Sequence, residues 1–226
     1  MKTFFQYIRH PVSIESTNLF TFRIYFRILG MVFLLTFITS LLVKVFNQFI
    51  ALPERLNPGI DSPKMFLIVV IVGPLFEEIL FRLNLVVSRI NWAIFVTVLI
   101  IILIKIIFFQ SGEFYVYLGV IPLFPLIHYF ILITDNPFKQ IEQFVKSNFK
   151  YVFHLLAITF GMLHLFNYQT VYWWMILLFP IITGPYIITG YVLGYTRMRY
   201  GFANGWLIHS SINFVSAFIL MPKHFI

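Results

Sequence analysis

The sequence has 226 residues, of which 60% are hydrophobic, 20% are aromatic and only 11% are charged, with a net charge of +8. This composition excludes a water-soluble surface and predicts one integral membrane domain whose cationic loops lie beside anionic lipid, with no nucleic acid partner. Because cysteine is absent, disulfides, thiolate metal ligands and cysteine nucleophiles are excluded.

In chain order, the sequence predicts an all-α, polytopic membrane bundle of 7–8 transmembrane helices. Residues 1–23 carry no signal-peptide pattern, and we expect them to lie at the cytoplasmic interface with Phe4, Phe5 and Ile8 dipping into the bilayer. The single membrane domain would span 24–221. Its apolar runs predict helices at 24–50, 64–90, 92–110, 114–134, 151–168, 170–198 and 201–221.

Two of these segments have a further feature. The polar connection at 136–150 predicts a short interfacial helix. The long run at 170–198 contains Pro180 and the pair Gly184-Pro185, which predict a kink or a split into two helices. A split would raise the number of spans from seven to eight.

The distribution of Lys and Arg predicts the orientation of the chain. With seven helices, eleven of these cations lie on the side of the N-terminus, whereas four, Lys44, Arg55, Lys64 and Lys223, lie on the other. The positive-inside rule therefore places the N-terminus in the cytoplasm.

Two adjacent glutamates interrupt the apolar run at 64–90. Glu78 and Arg82 are four residues apart, so on a helix they share a face and are expected to pair as structural support. Glu77 lies about 100° away on the helix and has no partner within the motif. A carboxylate of this kind in a membrane segment is a functional candidate.

Further polar residues lie at a similar predicted depth on two other helices. The distance of each residue from the nearest predicted cytoplasmic charge can be estimated at 1.5 Å per helical residue. It is about 18 Å for Glu77, measured from Arg89, and about 21 Å for His164, 15 Å for His209 and 21 Å for Asn213. Each histidine alone is more typical of an interhelical hydrogen bond. Their common depth instead favours one shared site.

These side chains have the chemistry needed for attack by water on a carbonyl. A carboxylate can act as general base, and imidazole and carboxamide groups can donate to an oxyanion. Ser210 and Ser211 lie in no serine-protease context, and neither a His-Glu-x-x-His motif nor a Gly-x-Gly-Asp motif is present in the sequence.

The motifs, in this order on three predicted helices, resemble the CPBP family, also called the Abi family, of CAAX proteases and bacteriocin-processing enzymes. The resemblance covers about residues 64–216 and rests on Glu77-Glu78-x-x-x-Arg82, Phe160-x-x-x-His164 and His209-x-x-x-Asn213. It implies a helical intramembrane endopeptidase in which Glu77 and His164 activate water while His209 and Asn213 stabilise the oxyanion. The short chain resembles bacterial members, which implies a bacterial plasma membrane and a peptide or membrane-protein substrate.

The resemblance leaves the cofactor open. The family is often described as metalloproteases, and Glu77, His164 and His209 are a conceivable three-ligand zinc site. A metal-free mechanism explains Asn213 better, so zinc is possible but no cofactor is favoured.

Two other functions remain open on the sequence. One is a non-catalytic membrane protein, such as an immunity or accessory factor. The other is a proton-coupled carrier that titrates Glu77, although a carrier is expected to show repeat symmetry, and we find none.

Overall fold

A computed structural model describes residues 4–13, 18–56, 60, 62–108 and 135–220. This part of the chain is helical, as predicted, and its single β-type contact joins Arg55 to Tyr168. The predicted helix at 114–134 lies outside the described residues. Helices are numbered below through the described residues only.

The first long helix, α2, follows a short helix α1 at Phe4–Arg9 and covers Phe22–Phe49, close to the predicted 24–50. The Thr21 hydroxyl caps it by accepting from the Ile24 amide at 3.4 Å. Its most apolar 18-residue window has a mean hydropathy of 2.3, yet only 17% of that window is buried within the protein. An apolar surrounding satisfies such a surface better than water does.

The predicted helix at 64–90 is wrong in its length and its continuity. Helix α3 (Pro63–Leu67) runs into a π-helical turn at Ile68–Val72, and then α4 covers only Gly73–Phe81. Pro74 explains the widened turn, because it lacks an amide hydrogen and its ring displaces the carbonyl one turn earlier. A 3₁₀ turn at Leu83–Leu85 follows.

This early end also removes the basis of one depth estimate. The value for Glu77 was counted back from Arg89 along a continuous helix, whereas Arg89 begins a separate helix, α5 (Arg89–Phe108). The estimate for Glu77 is therefore not valid, and its position relative to the two histidines has to be taken from tertiary contacts.

The middle of the chain agrees better with the predicted pattern. Helix α6 covers Asp135–Ser147, where an interfacial helix was predicted, and carries an exposed Lys146–Glu142 ion pair with 2.6 Å between nitrogen and oxygen. Helix α7 covers Phe149–Leu163 and continues as a 3₁₀ turn at His164–Asn167.

The predicted break in the run at 170–198 is present. The run divides into α8 (Trp173–Leu177), α9 (Phe179–Ile182) and α10 (Gly184–Tyr200), with Pro180 and Pro185 each in the first turn of the helix that follows a break. Gly201, with φ at 89°, then turns the chain into α11 at Phe202–Leu220.

Within the described residues, two helical segments are long and apolar enough to cross a membrane. They are Phe22–Phe49 and Phe149–Asn167; Arg89–Ile104 is apolar but shorter. The structure thus supports a helical protein with possible membrane-crossing segments.

The N-terminal segment packs differently from the prediction. Phe4 and Tyr7 are buried against Tyr195, with ring centroids 5.6 and 5.5 Å away, while Phe5 is exposed and Ile8 is half-buried. Burial raises the pKa of Tyr7 to about 12, so its hydroxyl stays protonated and donates to the Val12 carbonyl at 3.0 Å. For Phe4, the predicted insertion into lipid is therefore wrong.

Helix α10 lies at the centre of the bundle and approaches α7 closely. A β-carbon added at Gly190 would lie 2.8 Å from the Ala157 carbonyl oxygen, closer than van der Waals contact allows. Glycine is therefore required there by the backbone of the neighbouring helix. Gly30 in α2 has nothing within 4 Å of the corresponding position.

We expect Gly190→Ala and Gly30→Ala to have opposite effects on stability. The first pushes α7 from α10 and should cost about 1–3 kcal/mol, the range for overpacked cores. The second adds a methyl group in open space and should stabilise α2 by up to about 1 kcal/mol through helix propensity. Thermal unfolding of both variants in the same detergent measures this, and equal melting temperatures would contradict the close packing of α7 on α10.

Candidate functional site

Glu78 and Arg82 form the predicted ion pair at the end of α4. Nη1 of Arg82 lies 3.3 Å from Oε1 of Glu78, and both side chains are buried. The guanidinium carbon lies 3.9 Å from the centroid of the Phe160 ring, a cation–π distance. The Phe160 ring covers the guanidinium, so the ion pair belongs to the packed interior of the protein.

His209 lies between the two glutamates. Its Nδ1 is 2.9 Å from Oε1 of Glu78, and its Nε2 is 3.4 Å from Oε2 of Glu77. Glu77 therefore does have a partner, which corrects the expectation drawn from its own helix. The contact depends on α4 and α11, whose residues are more than 130 positions apart in sequence.

The two glutamates differ in their access to water. The side chain of Glu78 is 0% exposed, whereas that of Glu77 is 37% exposed. Only Glu77 can therefore meet a water molecule or a ligand without a change in packing.

His164 follows the last residue of α7 and is oriented by two contacts. Its Nδ1 lies 2.7 Å from the Phe160 carbonyl, and its ring stacks on Tyr186 with centroids 3.9 Å apart. Since a carbonyl oxygen can only accept, Nδ1 must carry the hydrogen. In the neutral ring Nε2 is then free to accept a proton.

Asn213 binds the backbone of the π-helical turn. Its Nδ2 donates to the Val69 carbonyl at 3.0 Å. A second side chain of α11, Trp206, donates from Nε1 to the Ile71 carbonyl of the same turn at 3.1 Å. These bonds fix the turn that leads into α4. One hydrogen of the Asn213 amide group is used in this way, and the second remains available to another acceptor.

One cavity joins the four predicted catalytic residues. It has a volume of about 780 Å³, large enough for several waters or an extended peptide segment. Its wall includes Glu77, His164, His209 and Asn213. The convergence expected from the motifs is therefore present, whereas their catalytic roles stay predictions.

Glu77, His164 and His209 line one cavity but are not gathered around a single point as three zinc ligands would be. Among the described residues there is no group of three His, Cys, Asp or Glu side chains placed to hold a metal ion. Nε2 of His209 is directed at the Glu77 carboxylate at 3.4 Å. The Nδ1 bonds of His164 and His209 occur in metal-binding and metal-free sites alike, because a metal-ligating histidine commonly uses its second nitrogen in this way.

Several residues of the site were not predicted from the sequence. Tyr186 and Trp206 orient the site through the contacts above, and Arg197, buried in α10, donates from Nε to the Arg82 carbonyl at 3.4 Å. Arg197 is one of the eleven cations that the predicted orientation assigns to the side of the N-terminus. The signal in the sequence that lay nearest to Tyr186 was the predicted helix break at Gly184-Pro185, directly before it.

Comparison with protein-family models, curated proteins and solved structures found no match to this chain. The likeness to the CPBP family therefore rests on the three sequence motifs alone.

Proposed function

We propose that this chain is an intramembrane endopeptidase resembling the CPBP family, with a peptide or membrane-protein substrate. Its 7–8 transmembrane helices would lie in a bacterial plasma membrane with the N-terminus in the cytoplasm. The observation that carries the proposal is the shared cavity, in which a partly exposed Glu77 lies 3.4 Å from His209 and shares the wall with His164 and Asn213.

In the proposed reaction Glu77 takes a proton from water as that water attacks the scissile carbonyl carbon. His164 orients the same water by accepting a hydrogen bond from it at Nε2, and the proton itself goes to Glu77. The carbonyl oxygen becomes negatively charged as the new C–O bond forms. Collapse of this intermediate breaks the C–N bond, and the proton returns to the leaving amine.

The developing oxyanion would be stabilised by donors from α11. The second amide hydrogen of Asn213 is available for this role, because the first is used by the Val69 carbonyl. Nε2 of His209 lies 3.4 Å from Glu77, and in the imidazolium form, with Nδ1–H donated to Glu78, it would donate to an oxyanion placed beside Glu77. Glu78 and Arg82 hold His209 in place.

The proposal is tested with the full chain, purified in detergent and incubated with a panel of leader peptides and CAAX peptides. Mass spectrometry reads the cleaved bond. We expect cleavage at one defined bond of at least one peptide class. Intact peptides throughout, from a monodisperse and folded preparation, would count against the peptidase.

We expect the cleavage to persist in a strong chelator. The reason is that, in the described part of the chain, Glu77, His164 and His209 are not placed as a three-ligand metal group. Turnover and elemental analysis are measured on the same sample before and after chelation. One zinc per active chain, lost together with activity, would contradict the metal-free mechanism.

A non-catalytic membrane protein is the second candidate, and one observation favours it. His209 is satisfied by two carboxylates and Asn213 by a backbone carbonyl, which is also how a structural polar cluster is held together. The peptide panel separates the two functions, because a structural cluster cleaves nothing.

A further inference from the structure

A second, smaller cavity lies where α2 ends against the turn at His164–Asn167. Its volume is about 310 Å³, and its polar wall includes Lys44, Asn47, Arg55 and Tyr168. Arg55 also lines the larger cavity that contains Glu77. The smaller cavity thus shares one cation with the candidate catalytic site and is otherwise built from residues that the proposed reaction does not use.

Backbone hydrogen bonds hold the wall of this cavity in place. The Leu56 amide donates to the Asn167 carbonyl at 2.7 Å, and the Gln169 amide donates to the Glu54 carbonyl at 2.9 Å. These bonds set Arg55 and Tyr168 opposite one another. The arrangement is preorganised, so a ligand would not have to order this part of the chain.

Among the described residues that line it, the cavity has two positive charges and no negative one. In the described part of the chain, neither Lys44 nor Arg55 forms an ion pair with a carboxylate. The nearby Glu54 carboxylate accepts from the Gln169 side chain at 3.4 Å and is not part of the wall. Two cations that share a cavity repel each other, and an anion between them removes this repulsion.

Tyr168 adds a hydrogen-bond donor to the two cations. The residue is only 5% exposed, and its hydroxyl oxygen accepts from Nη2 of Arg55 at 3.3 Å. Because the oxygen acts as acceptor in that bond, its own hydrogen remains available. Arg55 also lies over the Tyr168 ring, 5.3 Å from the centroid, which limits its rotation.

We propose that this cavity binds the phosphate group of an anionic membrane phospholipid. A guanidinium, an ammonium and a phenol together supply the planar fork, the point charge and the directed donor that a phosphate diester accepts. The inference rests on the membrane location in the proposed function, and it assigns the site to the side opposite the N-terminus.

The surroundings of the cavity favour a lipid over a soluble anion. Leu41, Leu42 and Val45 are exposed on α2 on either side of Lys44. Lys44 lies five residues before the end of that helix, about 7.5 Å from it, so its ammonium can reach the interface while its stem stays among apolar groups. Acyl chains would then lie along these exposed leucine and valine side chains.

The experiment counts lipid bound to the full native chain by native mass spectrometry during a titration with phosphatidylglycerol in mild detergent. Phosphatidylcholine and inorganic phosphate are titrated separately. The variants are Lys44→Gln, Arg55→Gln, the double variant and Tyr168→Phe. Lys150→Gln is the matched control. It removes an exposed lysine near the start of α7, whereas the cavity lies by the turn that follows the end of α7.

We expect phosphatidylglycerol to bind at one retained site, and binding to weaken about tenfold in each charge variant and more in the double variant. Tyr168→Phe should weaken it severalfold, whereas Lys150→Gln should leave it unchanged. Lys44 is exposed, so its variant tests the site even if Arg55→Gln fails to fold.

Three results would overturn the proposal: equal phosphatidylglycerol binding by the native chain and the double variant, equal binding of phosphatidylcholine, or displacement of the lipid by inorganic phosphate at low millimolar concentration. Since lipid counting requires no cleavage, the lipid site and the peptidase can each fail without the other.

Discussion

Glu77→Gln is expected to abolish cleavage and to leave the protein folded. Glutamine has nearly the same shape and can still bond to His209, but its carboxamide cannot take a proton from water. Loss of a general base costs about 10²–10⁴ in turnover. The substitution leaves no buried charge without a partner, because Nδ1 of the buried His209 still lies 2.9 Å from the Glu78 carboxylate.

The measurement is the initial rate of peptide cleavage, together with thermal unfolding of the same preparation. Glu142→Gln is the control, because it removes a different carboxylate that is also partly exposed and belongs to the pair with Lys146 on α6. The control should cleave as fast as the native chain. Retained cleavage by Glu77→Gln would remove Glu77 from its proposed role, and a shared loss of folding and cleavage would make its role structural.

Arg82→Ala is expected to destabilise the protein strongly, by about 3–5 kcal/mol. The variant leaves the buried Glu78 carboxylate without its cation, and it removes the contact between Arg82 and the Phe160 ring at 3.9 Å. Water cannot replace the lost partner, because the Glu78 side chain is fully buried.

Lys146→Ala provides a matched comparison, since Lys146 and Glu142 have the same spacing of four residues and a shorter nitrogen–oxygen distance of 2.6 Å. Their side chains are 56% and 32% exposed, against 2% and 0% for Arg82 and Glu78. An exposed pair on a helix contributes only about 0.3–0.5 kcal/mol. Melting temperatures in detergent should therefore fall steeply for Arg82→Ala and little for Lys146→Ala; similar shifts would contradict a structural role for the buried pair.

Helix positions could be predicted best where one local cause dominates. The apolar run that became α2 and the proline positions that divide the run at 170–198 are properties of adjacent residues. The end of α4 at Phe81 was missed, because the residues up to Arg89 are as apolar as those before them. Arg82 leaves the helical conformation, with φ at −130° and ψ at −24°, where its side chain is held by Glu78 and Phe160.

By itself the sequence determined the helical class, the apolar surface and the pairing of Glu78 with Arg82, since these follow from composition and from spacing within one helix. Only the tertiary structure decided that His209 lies between the carboxylates of Glu77 and Glu78 and that Arg55 lies against Tyr168. The physical reason is that such contacts join segments more than 100 residues apart. They depend on how α4, α7, α10 and α11 pack, and on a proline-induced π turn that sets the direction of α4, which no local pattern specifies.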